Sequence, residues 1–144
     1  VLKELEGKWK LVSKESRGRV RNVDGDNKVH TIISFSTDSF TISNSRSVDV
    51  AEGQGTLRIN ARNEPYEIDM IDLKDVQTQK QEGHDLMGIF EIDGDKVRIR
   101  GINHTAGKDV LDGSKTVARP QEVTNTTAND HPFDSLMILE RLKQ

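Results

Sequence analysis

With 144 residues, 21 basic and 24 acidic side chains and a net charge of −3, the chain is sized for one domain spanning 1–144. Its two signs of charge are mixed along the sequence, so no basic stripe offers phosphate neutralisation and nucleic acid is not an expected partner. The lack of cysteine excludes a disulfide framework, a thiolate metal site and a thiol nucleophile, and no apolar run reaches the roughly 18–20 residues of a membrane helix.

Residues 2–5 read as a short N-terminal helical turn, apolar at Leu2 and Leu5, laid as a plug across one end of the strands downstream of it. From 8 to 15 the pattern alternates, with Trp9 and Leu11 on one face and Lys8 and Lys10 on the other, the period-2 signal of a half-buried strand. Residues 16–28 are rich in Arg, Asp, Asn and Gly and read as a long loop containing a short strand at 20–23. The second clear strand, 29–36, turns at Thr37-Asp38 into 40–43 as a hairpin. Strands come next at 55–61 and 66–71, broken by Asn63-Glu64-Pro65, and 74–83 reads as an exposed polar connection. Strands 86–92 and 96–101 flank Asp93-Gly94-Asp95, the strongest hairpin signal because Asp-Gly tolerates positive φ. Residues 102–119 form a long excursion, 121–125 a short strand, and 135–142 the last strand, apolar on both faces.

Hydrophobic residues make up only 33% of the chain and the mean hydropathy is −0.67, as expected when single-layer strands separate a core from water. Short antiparallel strands in sequence order, with open edges to remove, predict an all-β fold: a single up-and-down barrel of about eight to ten strands with a short N-terminal helical turn.

Four stretches carry a resemblance: Leu5-Glu6-Gly7-Lys8-Trp9-Lys10-Leu11-Val12-Ser13, Pro65-Tyr66-Glu67-Ile68-Asp69-Met70, Gly88-Ile89-Phe90-Glu91-Ile92-Asp93-Gly94-Asp95-Lys96-Val97 and Arg119-Pro120-Gln121-Glu122-Val123-Thr124. In order and spacing they resemble an uncharacterised lipocalin-like domain family expanded in planctomycete bacteria, over nearly the whole chain. The resemblance implies a calycin-type barrel, a location outside the cytoplasm and no established activity. It also implies that Trp9 closes one barrel end under an arginine from late in the chain, for which Arg119 and Arg141 both qualify. The 102–119 excursion is longer than the family pattern.

The inward candidates Leu11, Ile33, Phe35, Phe40, Leu57, Ile68, Met70, Phe90 and Ile99 would line a barrel of this size, which either fills with side chains or holds one small ligand. The primary expectation is therefore a non-catalytic domain binding a small apolar or amphipathic ligand in the barrel. The alternative is a solid barrel acting as a structural or protein-interaction domain through its outer face and loops. No cofactor or metal is expected, because His30, His84, His104 and His131 stand far apart without carboxylates at ligand spacing. Asp24-Gly25-Asp26-Asn27 fails as a calcium loop, since Phe35 stands where the bidentate Glu is required. No nucleophile elbow, phosphate loop or dinucleotide fingerprint is present. An enzyme would need His104 or His131 buried beside a carboxylate at the barrel mouth.

Overall fold

The structure, a computed structural model, describes residues 2–22, 29–62, 64–81, 85–104, 119–127 and 134–143. The Asp24-Gly25-Asp26-Asn27 stretch, His84, His131 and most of the expected 102–119 excursion lie outside the described residues. After α1 (Leu2–Leu5) come nine strands: β1 (Gly7–Ser16), β2 (Arg19–Asn22), β3 (Thr31–Phe35), β4 (Ser39–Asn44), β5 (Gly53–Asn60), β6 (Tyr66–Asp75), β7 (Asp85–Asp93), β8 (Lys96–His104) and β9 (Asp134–Arg141).

Eight of them form a closed antiparallel barrel in the order β1-β3-β4-β5-β6-β7-β8-β9, with β9 returning to pair with β1. Closure removes the unpaired edges that an open sheet would expose. Strand β1 is long enough to serve three partners. One of its edges pairs with β9, while the other pairs with β3 over Gly7 to Lys10 and with β2 over Ser13 to Ser16. A bulge between Leu11 and Ser13 keeps Lys14 on the face of Met137 after Leu11 has paired with Leu139.

The inward faces meet as one apolar cluster comprising Leu5, Trp9, Ile33, Phe35, Phe40, Leu57, Ile68, Met70, Leu86, Phe90, Val97, Ile99 and Leu139. Each fully buried side chain of this size contributes about 1.5–3 kcal/mol of hydrophobic stabilisation. Where β7 and β8 cross, Gly88 pairs with Gly101, and a Cβ on Gly88 would stand 2.5 Å from the Arg100 carbonyl oxygen and 2.9 Å from the Gly101 Cα. The two backbones therefore approach too closely for any side chain, and Leu86 covers the space over Gly101.

Several details differ from the sequence expectation, among them β8, which runs on to His104 and so takes the first three residues of the expected excursion. Strand β6 runs on to Asp75, because a bulge with Asp72 at φ 56° lets the ladder with β5 continue past Ile71. The Asp72 N–H donates to Asp85 Oδ1 at 2.9 Å, which holds that unusual conformation. The β3 strand begins at Thr31, two residues later than expected. The strand expected at 121–125 is absent: residues 119–127 are an irregular strap across the outside of the barrel, and the carbonyls of Thr124 and Asn125 are taken by the Arg100 guanidinium.

Candidate binding surfaces

At one barrel end α1 lies over the core with Leu5 buried, and the Trp9 indole N–H donates to the Leu5 carbonyl at 2.8 Å. Arg141 stacks on the indole, its guanidinium carbon 4.3 Å from the ring centre. It also donates to the carbonyls of Glu4 at 2.6 Å and Glu6 at 3.2 Å and pairs with Asp95 at 3.3 Å. Orphan carbonyls at the end of a one-turn helix need such donors, and one arginine supplies them while covering the tryptophan. Of the two arginines that qualify for this position, Arg141 occupies it.

Arg119 lies elsewhere. It anchors the start of the strap on the outer face of β6 and β7, donating to the Gly88 carbonyl at 2.7 Å and pairing with Asp69 at 2.8 Å and Glu67 at 3.6 Å. Further along, Val123 joins Ile89 and Leu136 in a second, outer apolar cluster. Beside it Arg100 grips Asp134 with two parallel bonds, Nε to Oδ1 at 2.7 Å and Nη2 to Oδ2 at 2.8 Å. The Thr126 hydroxyl donates to Glu15 Oε1 at 2.6 Å and accepts from the Gly18 N–H at 2.9 Å, and the Thr126 N–H donates to the same carboxylate. The strap is thus pinned at its start by the partly exposed Arg119 and further along by the buried charges of Arg100, Asp134 and Glu15. Sequence reasoning missed this group because Glu15, Arg100 and Asp134 are far apart in the chain and each looks like an ordinary outward charge.

The structure brings the expected lining residues together. Ile33, Phe35, Phe40, Leu57, Ile68, Met70, Phe90 and Ile99 are all buried in the central cluster, and Leu11 is half-buried against it. The Tyr66 and Phe90 rings meet at 5.7 Å with their planes tilted by 52°. Leu86, Val97 and Leu139 complete it beside Leu5 and Trp9; the two-faced apolarity of the last strand hid which of its residues point inward.

Grooves also mark the outer surface. One of about 490 Å³ is lined by Asp38, Asp72, Asp75, Lys74 and polar neighbours. Another of about 310 Å³ lies by Tyr66, whose phenol donates to Glu64 at 3.0 Å and is held above its ordinary range chiefly by that hydrogen bond, with burial and the Glu64 and Glu4 charges adding to it. A third, about 280 Å³, borders the strap beside Arg100. The fourth, about 370 Å³, is lined by Lys14, Ser16, Arg19, Val20 and Arg21, where β2 rises from the barrel rim. Among the described residues Lys14, Arg19 and Arg21 have no acidic partner. The alternating Arg19-Val20-Arg21 of this rim was a readable signal, obscured because 16–28 reads mainly as loop.

Among the described residues no group of three or more His, Asp or Glu side chains is placed to hold a metal. His30 is half-buried, its Nδ1 has no hydrogen-bond partner among the described residues, and its backbone N–H donates to Ser45 Oγ at 2.9 Å. No helix among the described residues is long and apolar enough to cross a membrane. Comparison with known proteins found no matching family model, no similar curated protein and no similar solved structure.

Proposed function

We propose that this chain is a non-catalytic interaction domain, a solid barrel whose strands serve as a scaffold and whose rim and outer face carry the binding. One observation carries this reading: of the expected lining residues, all but Leu11 are buried in one cluster, and Ile68, Phe90 and Ile99 are each at 0% exposure. An eight-stranded barrel is just wide enough for its own side chains to fill. The four grooves described above are open ones, and each is bordered by charged side chains as well as apolar ones. We also read the barrel as lipocalin-like, supported by the Gly7-Lys8-Trp9 start of β1 and by Arg141 over the indole.

The second reading is a small apolar or amphipathic ligand held in the barrel. It is favoured by Leu11, Ile42, Leu73 and Met137, which join the core while only half-buried. Native mass spectrometry of the freshly purified protein, repeated after denaturation, separates the two. The solid-barrel reading expects the mass of the chain alone and no saturable signal on titration with a fluorescent fatty acid. A reproducible added mass, released on denaturation and of the size of one small ligand, overturns it.

A further inference from the structure

Strand β2 lies outside the closed barrel. It pairs with β1 and, among the described residues, with no other strand. It continues the line of β3 along the same edge of β1, but β4 ends at Asn44 opposite Thr31, so among the described residues no strand flanks β2 on its far side. The two-residue turn Arg17-Gly18, with φ of 53° and 79°, closes on the pair Ser16 and Arg19. In a hairpin of that kind the closing pair is hydrogen-bonded, so the backbone groups of Arg19 and Arg21 face β1 while those of Val20 and Asn22 face outward. All four β2 residues are exposed, Val20 by 58%.

The register sets Arg19 beside Ser16 and Arg21 beside Lys14, so three cations share one face next to an open backbone edge. That face is positive on a chain whose net charge is −3. A second copy is a poor occupant, because edge-to-edge pairing of two β2 strands would bring arginines near arginines. The complementary occupant is an extended segment with carboxylates at every second position, which would complete the backbone ladder and set its acids beside Arg19 and Arg21.

We propose that β2 takes up an acidic extended peptide by strand addition. This names the partner class for the interaction-domain reading and rests on it. The test titrates the full chain into a labelled peptide of about six to eight residues, the ordinary strand length, alternating Glu with Val or Thr. Saturable binding is expected, weakened at least about tenfold when Gln replaces Glu, when Arg19→Glu and Arg21→Glu are combined, and in Val20→Pro, which removes an outward N–H.

Trp9 emission and the melting temperature verify that the variants fold. Should Val20→Pro unfold, a peptide N-methylated on its ladder-facing amides interrogates the same bonds from the partner's side. Binding that survives both backbone changes, no binding by the wild-type chain, or tighter binding of a single-stranded oligonucleotide or an anionic lipid vesicle overturns the proposal. Absence of peptide binding with a bare native mass removes this inference alone, whereas a co-purifying ligand removes the solid-barrel reading beneath it.

Discussion

Replacing Asp134 by alanine tests whether the strap is held by a buried ion pair. The Arg100 and Asp134 side chains are 9% and 10% exposed, and the carboxylate accepts from both Nε and Nη2. Asp134→Ala leaves that guanidinium charged and short of two acceptors, in a place water scarcely reaches. Removing one partner of a buried pair costs about 3–5 kcal/mol, against a whole-domain stability of about 5–15 kcal/mol. Replacing both charges, Arg100→Met with Asp134→Leu, leaves neither member of the pair behind as an uncompensated charge. The bonds from Nη1 to Thr124 and Asn125 are lost as well, but both residues are exposed and water can replace them. The double variant is therefore expected to lose only about 1–2 kcal/mol. Urea unfolding monitored by the emission of Trp9, the chain's one tryptophan, reads both. At a slope of about 2 kcal/mol per molar, the midpoint should fall by about 1.5–2.5 M for Asp134→Ala and by less than about 1 M for the double variant. A single variant within about 0.5 M of wild type, or a double variant as damaged as the single, would refute the reasoning.

Two further outcomes concern the closed end and its neighbour Tyr66. Arg141→Ala should cost about 1–2 kcal/mol and shift Trp9 emission to longer wavelength, since it removes the stacked cation and opens the indole to water; unchanged emission would mean that the arginine does not cover the ring. The Tyr66 phenol is raised above 10.0 in the fold, first by its hydrogen bond to Glu64 and then by burial and nearby acids. The unfolded phenol deprotonates first as pH rises, so this contribution to stability is complete below the unfolded value and is lost as pH climbs through the folded one. Phenolate absorbance should show a midpoint above 10 that moves back down in Glu64→Gln, and an unshifted midpoint in that variant would sink the assignment.

Local sequence chemistry was enough to set where most strands lie and which face of most of them is apolar. Period-2 alternation in Lys8-Trp9-Lys10-Leu11 and the turn chemistry of Asp93-Gly94-Asp95 act over a few residues, and burial of one face makes the register costly to slip. Eight of the inward residues expected from that alternation lie in one core for this reason. Features that depend on distant partners were fixed only when the chain closed on itself. Arg119 and Arg141 are equivalent in composition, and only the return of β9 beside β1 sets Arg141 over Trp9 while the strap carries Arg119 to the far side of β6 and β7. The strand expected at 121–125 gave way because Arg100 supplies its carbonyls with donors that no local pattern reveals. Likewise β2 is a short strand by propensity, and it becomes a cationic edge without a second neighbour among the described residues only because the barrel closes through β3.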